Sequence, residues 1–446
     1  MLVENHTVSL EKYCSVYAID VVRIRLFLIC LLSMGGLYVS VYNHSFALLV
    51  FAFNILSVFF LNTTELYCEM FFLFPYTMIY KYSIGSTSLF TYLMLVFMLV
   101  FLAKNKFRMN KNFILSFIPL AVYLFIGVGN NYTDFIKLLN MAVIASLFTS
   151  LIERKNFSNI VLYVCLGTVT SALIGLRKAS WPALASFFSN LKAEYINGVE
   201  TYRFTGLYMD PNYFSILVII CLVSLLTFAF KKEIKTGIAV ILVAALVYFG
   251  CLTYSRLFYL SLLVALIFLL VLRMKSTGKI VGSLVLSIAI ITIGVYFANK
   301  AGIISNILYR FSATDITNNR ANIWGQYIDY FNSSTKTLFL GDGIGASYYN
   351  DVGPHNTYIE MLYFLGIIGS LIYIRMYWCI LKTGRYIEKR KFVNYSLLFI
   401  LMIMSATLGM LFSNDFGFLM MLVWLFMNTD IGRENTVVAV GELDNK

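Results

Sequence analysis

The sequence predicts an all-α polytopic integral membrane protein, a bundle of about 12–14 transmembrane helices with two larger outer loops. Three observations point there. Of 446 residues, 60% are hydrophobic and only 13% are charged, whereas soluble domains run nearer half apolar and a quarter charged. Mean hydropathy is +0.80. Apolar runs also recur along the whole chain at the length needed to cross a ~30 Å hydrocarbon core, roughly 20 residues each. The composition excludes a soluble enzyme, a disordered protein and a coiled coil. A bundle of spans is one unit, so residues 1–446 read as a single transmembrane domain.

Fourteen candidate spans lie near 25–42, 45–61, 66–80, 87–103, 112–128, 134–151, 158–176, 213–230, 236–253, 257–272, 279–297, 357–381, 394–412 and 416–430. The third is short and contains Pro75, which predicts a kinked or re-entrant segment. The last is short enough to be an interfacial helix. Orientation follows from Lys and Arg in the short loops. One set of loops holds 19 basic residues; the alternate set, at 40–45, 81–86, 129–133, 252–256 and 413–415, holds two, Lys81 and Arg256. The first set is therefore cytoplasmic, and so are both termini. Two long polar stretches, 177–212 and 298–356, then form the outer loops, and 432–446 is a polar, disordered cytoplasmic tail.

The net charge of +12 is explained by this topology rather than by nucleic acid. Seven scattered cysteines, mostly inside apolar runs, give neither metal-ligand spacing nor a disulfide framework. No cleavable signal peptide is expected, because the first apolar run begins near residue 26 and no small-residue cleavage site follows it. Charged residues in the spans are few: Glu69, Lys137, Glu360 and Arg375, near span ends. A flippase or transporter would carry more of them, lining a central cavity.

Most polar residues outside the short connections lie in the outer loops, so chemistry is expected at the outer face. His355 is one of three histidines and sits in Gly353-Pro354-His355-Asn356-Thr357-Tyr358, where Asn356 or Thr357 can cap the next helix. Imidazole can take a proton from a hydroxyl near neutral pH, which makes His355 a candidate general base. Arg256 runs against the positive-inside bias, and a half-buried arginine between helices is costly unless it is used. With Arg203, Arg310 and Arg320 it makes four outer arginines facing few acids, a pattern suited to phosphate oxygens held bidentately. The outer carboxylates, among them Asp210, Asp315, Asp329 and Asp342, form no Asp-x-Asp clamp, so no metal is expected. Gly341-Asp342-Gly343-Ile344-Gly345 follows no buried strand and reads as a tight turn rather than a dinucleotide loop. Interleaved tyrosines, Tyr208 among them, belong mostly to an interfacial aromatic belt, with a minority able to stack on sugar rings. Arg203, Arg310, Asn356 and Tyr208 complete the candidate substrate-binding set.

Several of these segments carry a resemblance. His355-Asn356-Thr357-Tyr358, continuing to Gly366 and Gly369, resembles the His-Asn-x-Tyr-Leu…Gly-x-x-Gly signature of the O-antigen ligase and polymerase superfamily. Arg320-Ala321-Asn322-Ile323-Trp324 is similar to its Arg-x-x-x-Trp element, 343–345 to its Gly-x-Gly, and Ser255-Arg256 to its Ser-Arg at the head of a span, though Leu257 follows where glycine is usual. Arg203 to Asn212 resembles the Arg-x-x-Gly…Asp-Pro-Asn segment of Wzy-type and capsule polymerases. The resemblance covers about residues 200–370. It implies an inverting, metal-independent membrane glycosyltransferase without cofactor, moving a glycan from undecaprenyl pyrophosphate to an acceptor hydroxyl at the outer face of the bacterial inner membrane. By position, Arg256 and Arg320 would hold the pyrophosphate, His355 would activate the acceptor, and Arg203 would be a further substrate contact. The Asp-Pro-Asn segment and the Phe, Tyr, Ile, Lys and Asn content favour an O-antigen or capsular polysaccharide polymerase over a ligase acting on lipid A core. The expected partners are the lipid-linked oligosaccharide and the bilayer, with a chain-length regulator and a flippase as further candidates.

Overall fold

The computed structural model describes residues 24–81, 87–127, 129, 132–176, 193–196, 199–208, 210–273, 299, 304–305, 308, 319–383, 392–411 and 413–429. Among them the chain is helical almost throughout. Its helices are α1 (Ile24–Ser40), α2 (Ser45–Ser57), α3 (Thr63–Leu73), α4 (Leu89–Lys104), α5 (Lys111–Ile126), α6 (Tyr132–Leu151) and α7 (Phe157–Gly175), then α8 (Pro211–Phe230), α9 (Thr236–Leu252) and α10 (Arg256–Arg273). They continue with α11 (Arg320–Ser333), α12 (Thr335–Leu340), α13 (Thr357–Lys382), α14 (Ser396–Ser405) and α15 (Asn414–Met427). Four helical segments are long and apolar enough to cross a membrane: Tyr132–Leu151, Arg154–Gly175, Pro211–Phe230 and Thr357–Lys382. Eight more apolar helices run 10–17 residues. The expected span at 279–297, the tail and Arg310 lie outside the described residues.

Burial follows from how each helix is patterned. α8 is apolar on every face, and such a helix belongs at a centre. It is buried along most of its length and packs against α7, α9, α10, α14 and α15. α15 is apolar all round as well. It is buried from Gly417 to Met427, so it is a core helix and not the interfacial one its length suggested. An interfacial helix needs one polar face, and this segment has none. The periphery is apolar too: Phe59 is 77% exposed, Ile126 81% and Ile241 70%. Large side chains exposed in this number face hydrocarbon rather than water.

The structure adds detail to the hydropathy reading at three places. The kink expected at Pro75 is a 3₁₀ turn, Phe74–Tyr76, continuing α3. Glu69 is fully buried rather than at a rim, with Ser57 Oγ donating to its Oε1 at 2.7 Å. The run 394–412 is helical only to Ser405, and residues 406–411 are irregular. The two outer stretches also hold structure. A two-stranded antiparallel hairpin, β1 (Ala193–Ile196) with β2 (Val199–Tyr202), is the one departure from all-α among the described residues. The second stretch contains α11 and α12.

α13 is broken at Gly366, whose φ of 61° and ψ of −174° fall in a region essentially reserved for glycine. The break leaves carbonyls without helical partners, and neighbours take them. Asp342 N donates to Tyr363 O at 2.8 Å, Gly343 N to Phe364 O at 3.1 Å, and Tyr123 Oη of α5 to Leu365 O at 2.9 Å. Gly341 presses against the same break: a Cβ on either Gly341 or Gly366 would come within 2.5 Å of the other segment's backbone. The glycine stretch therefore does turn tightly, and it turns around α13. Gly366→Ala combines this clash with a backbone conformation that costs a side-chain-bearing residue roughly 1–3 kcal/mol. A lower thermal midpoint in detergent is expected; an unchanged midpoint would mean that the break relaxes freely.

Candidate functional site

The site is assembled from helix beginnings. Asp210 caps α8 by accepting from Asn212 N at 2.6 Å, with Pro211 as the first helical residue. The cap fixes Asn212, whose Oδ1 accepts from Arg203 Nη2 at 3.2 Å and from Ser255 Oγ at 2.7 Å. Arg203 Nε also donates to Thr253 O at 3.0 Å, and Phe204 N to Leu252 O at 3.0 Å. One amide side chain thus ties the Arg203 segment to the turn that presents Arg256.

Arg256 is the first residue of α10 and Arg320 the first of α11. A helix N-terminus already carries partial positive charge, so a guanidinium there works against the helix dipole. Helix stability cannot be the reason for either placement. Both arginines are half-buried. Arg320 Nη1 donates to Thr407 O at 2.9 Å. Burial pushes the Arg203 guanidinium down to about 10; Asp210 opposes the shift, and the nearby Arg320 and Arg256 charges add to it. Arg320 is also shifted down by burial, against the pull of Asp210 and Tyr213. Arg256 and Arg320 thus both stand within electrostatic reach of Arg203, with the Asp210 carboxylate acting on Arg203 and Arg320.

His355 joins this cluster through the backbone. Trp324, one turn along α11 from Arg320, donates from Nε1 to Pro354 O at 2.9 Å, and Tyr327 Oη donates to Val352 O at 2.7 Å. His355 is exposed, and Asn356 behind it caps α13 by accepting from Tyr358 N at 2.9 Å and Ile359 N at 3.2 Å. These turns hold non-glycine residues in left-handed backbone, with φ of 48° at Tyr254, 63° at Asn319 and 48° at His355, as turns at Lys106, Phe107 and Lys232 do elsewhere. Such conformations persist where surrounding structure over-determines them, and they concentrate at functional sites.

Residues 406–411 are the hub that hydropathy reading took for the end of a span. Three successive carbonyls there accept from three different helices: Thr407 O from Arg320, Leu408 O from Thr357 Oγ1, and Gly409 O from Tyr213 Oη. Met410 N returns a bond to Thr357 Oγ1 at 3.1 Å. Those side-chain donors hold the irregular segment that follows Ser405 in place. Glu360, one turn after Asn356, is buried and accepts from Tyr348 Oη at 2.9 Å and Leu411 N at 3.3 Å. Sequence reasoning noticed Glu360 only as a charge near a span end. A buried acid one turn from the histidine was the available signal. Nothing in the sequence marked Thr407–Met410, because their backbone carries the contacts.

Arg203, Arg256, Arg320 and the turn bearing His355 are therefore brought together. Asn356 spends its side-chain acceptor on the cap. Tyr208 is 8% exposed and packs its ring against Phe214 at 6.2 Å.

Fold and site define a polytopic helical membrane protein with an arginine-rich site built at helix N-termini. Residues 241–374 match the family model described as O-antigen ligase, in keeping with the superfamily that the motifs resemble. The match contains Arg256, Arg320, Trp324 and His355, and it stops short of Arg203. No curated protein matches the chain.

Proposed function

We propose that the protein is an O-antigen or capsular polysaccharide polymerase. It joins undecaprenyl-pyrophosphate-linked repeat units at the periplasmic face of the bacterial inner membrane, with both termini in the cytoplasm. The observation that carries this reading is the gathering of three arginines: Arg203 lies within electrostatic reach of Arg256 and Arg320 and is tied through Asn212 to the turn that presents Arg256. Like charges held together and half out of water cost stability, and a pyrophosphate would offset that cost. The acceptor hydroxyl oxygen attacks the anomeric carbon as His355 removes its proton. The bond from that carbon to the pyrophosphate oxygen breaks with inversion, and undecaprenyl pyrophosphate leaves. Guanidinium groups stabilise the charge that develops on the leaving oxygen, usually the greatest single contribution to such catalysis.

The description of the matching family favours a second reading, a ligase that hands the finished glycan to lipid A core. Purified protein incubated with lipid-linked repeat units and EDTA distinguishes the two. A ladder of longer lipid-linked glycans, formed without any core acceptor and unaffected by EDTA, is expected. Product that appears only when lipid A core is added would make the protein a ligase, and loss of product in EDTA would end the metal-independent mechanism.

A further inference from the structure

Far from the arginine cluster, a cleft of about 250 Å³ opens between the beginning of α5 and the end of α13, lined by Asn110, Asn112, Ser116, Arg375, Lys382 and Thr383 among others. Its volume lies below the usual range for whole small-molecule pockets, roughly 300–1,000 Å³, and suits a headgroup. Its walls carry two cations, Arg375 and Lys382, among amide and hydroxyl groups and the apolar Leu115 and Cys379. Arg375 is exposed two turns before the end of α13, and among the described residues no carboxylate pairs with it. An arginine at that depth in a span is costly unless it reaches polar headgroups or an anion. Lys382 Nζ stands 5.0 Å from the centroid of the Trp378 ring, an arrangement typical of a membrane interface. In sequence, the two short connections next to these helix ends are the most basic of the chain, with Lys104, Lys106, Arg108 and Lys111 before α5 and Lys382, Arg385, Lys389, Arg390 and Lys391 at and after the end of α13.

Apolar rails lead away from the cleft. α5 exposes Leu115 at 55%, Ile118 at 53% and Val122 at 55%, and α13 exposes Leu371 at 62%, Ile374 at 55% and Trp378 at 44%. A soluble phosphate has no use for them, whereas acyl chains do. We propose that this cleft binds the phosphate headgroup of an anionic phospholipid of the leaflet opposite the arginine cluster, between Arg375 and Lys382, with its chains along α5 and α13. Basic pockets between spans on the cytoplasmic side suit such headgroups. The inference rests on the membrane-spanning fold and not on the transferase reading, so either can fail alone.

The test is native mass spectrometry of the delipidated full-length protein in detergent, titrated with phosphatidylglycerol, with phosphatidylethanolamine, and with inorganic phosphate as competitor. Tight uptake of phosphatidylglycerol is expected, with at least tenfold weaker binding in the double variant Arg375→Gln, Lys382→Gln. Asn112→Asp keeps both cations and is expected to weaken binding by adding a negative charge to the cleft. Monodisperse size-exclusion profiles establish that the variants fold. Equal uptake of phosphatidylethanolamine, unchanged binding in both folded variants, or full displacement by millimolar phosphate would each overturn the proposal; the last would assign the cleft to a soluble phosphate compound.

Discussion

Replacing His355 with alanine is expected to abolish polymer, a loss of about 10²–10⁴-fold, the usual contribution of a general base. The protein should remain inserted and folded. The imidazole is exposed, and its neighbours anchor the turn: Trp324 donates to Pro354 O, and Asn356 caps α13. His355→Asn is the sharper test. Asparagine tolerates left-handed backbone, so it keeps the φ of 48° at this position while removing the base. Both variants should fail alike in the repeat-unit assay. Normal-length polymer from either one would remove His355 from the mechanism.

Arg256→Lys and Arg320→Lys are expected to fail nearly as badly as the alanine variants, each losing about 10²–10³-fold, the usual cost of removing one donor to a developing charge. Lysine keeps the charge and loses the planar fork that binds two phosphate oxygens at once. Transfer rates from purified protein, read beside thermal midpoints, separate chemistry from scaffold. For Arg256→Lys, lost activity without a fallen midpoint is the expected outcome, because the group sits where the helix dipole opposes it; Arg320→Lys also weakens the bond to Thr407 O, so a modest fall in midpoint accompanies its larger loss of rate. Full activity in both lysine variants would show that charge alone suffices, or that these arginines only anchor the helices. Arg203 holds both Thr253 O and Asn212 Oδ1, so its loss should lower stability the most of the three, as well as rate.

Much of this was legible in the residues. A charged fraction of 13% and recurrent apolar runs sufficed for a polytopic helical protein, because hydrocarbon forces backbone polar groups into helices. Capping chemistry is local, so Asn356 as the start of α13 and the turn at Gly341–Gly345 could be read directly. Helix ends inside apolar stretches could not. The run 394–412 is largely apolar, yet its helix ends at Ser405, and Arg320, Thr357 and Tyr213 hold the carbonyls of the irregular segment that follows. No window of hydropathy contains those three residues.

The sequence by itself determined the class of structure, the residues able to hold an anion or take a proton, and the order in which they occur. Only the tertiary structure decided that Arg203, Arg256 and Arg320 share one field, that Asn212 braces the first two segments, and that three consecutive carbonyls at 407–409 bind the third arginine and the histidine's helix to α8. The physical reason is range. Hydropathy, capping and turn preference act within about one helical turn and are written in adjacent residues. The convergence joins positions as much as 196 residues apart, as between Tyr213 and Gly409, and is set by which helix faces pack together.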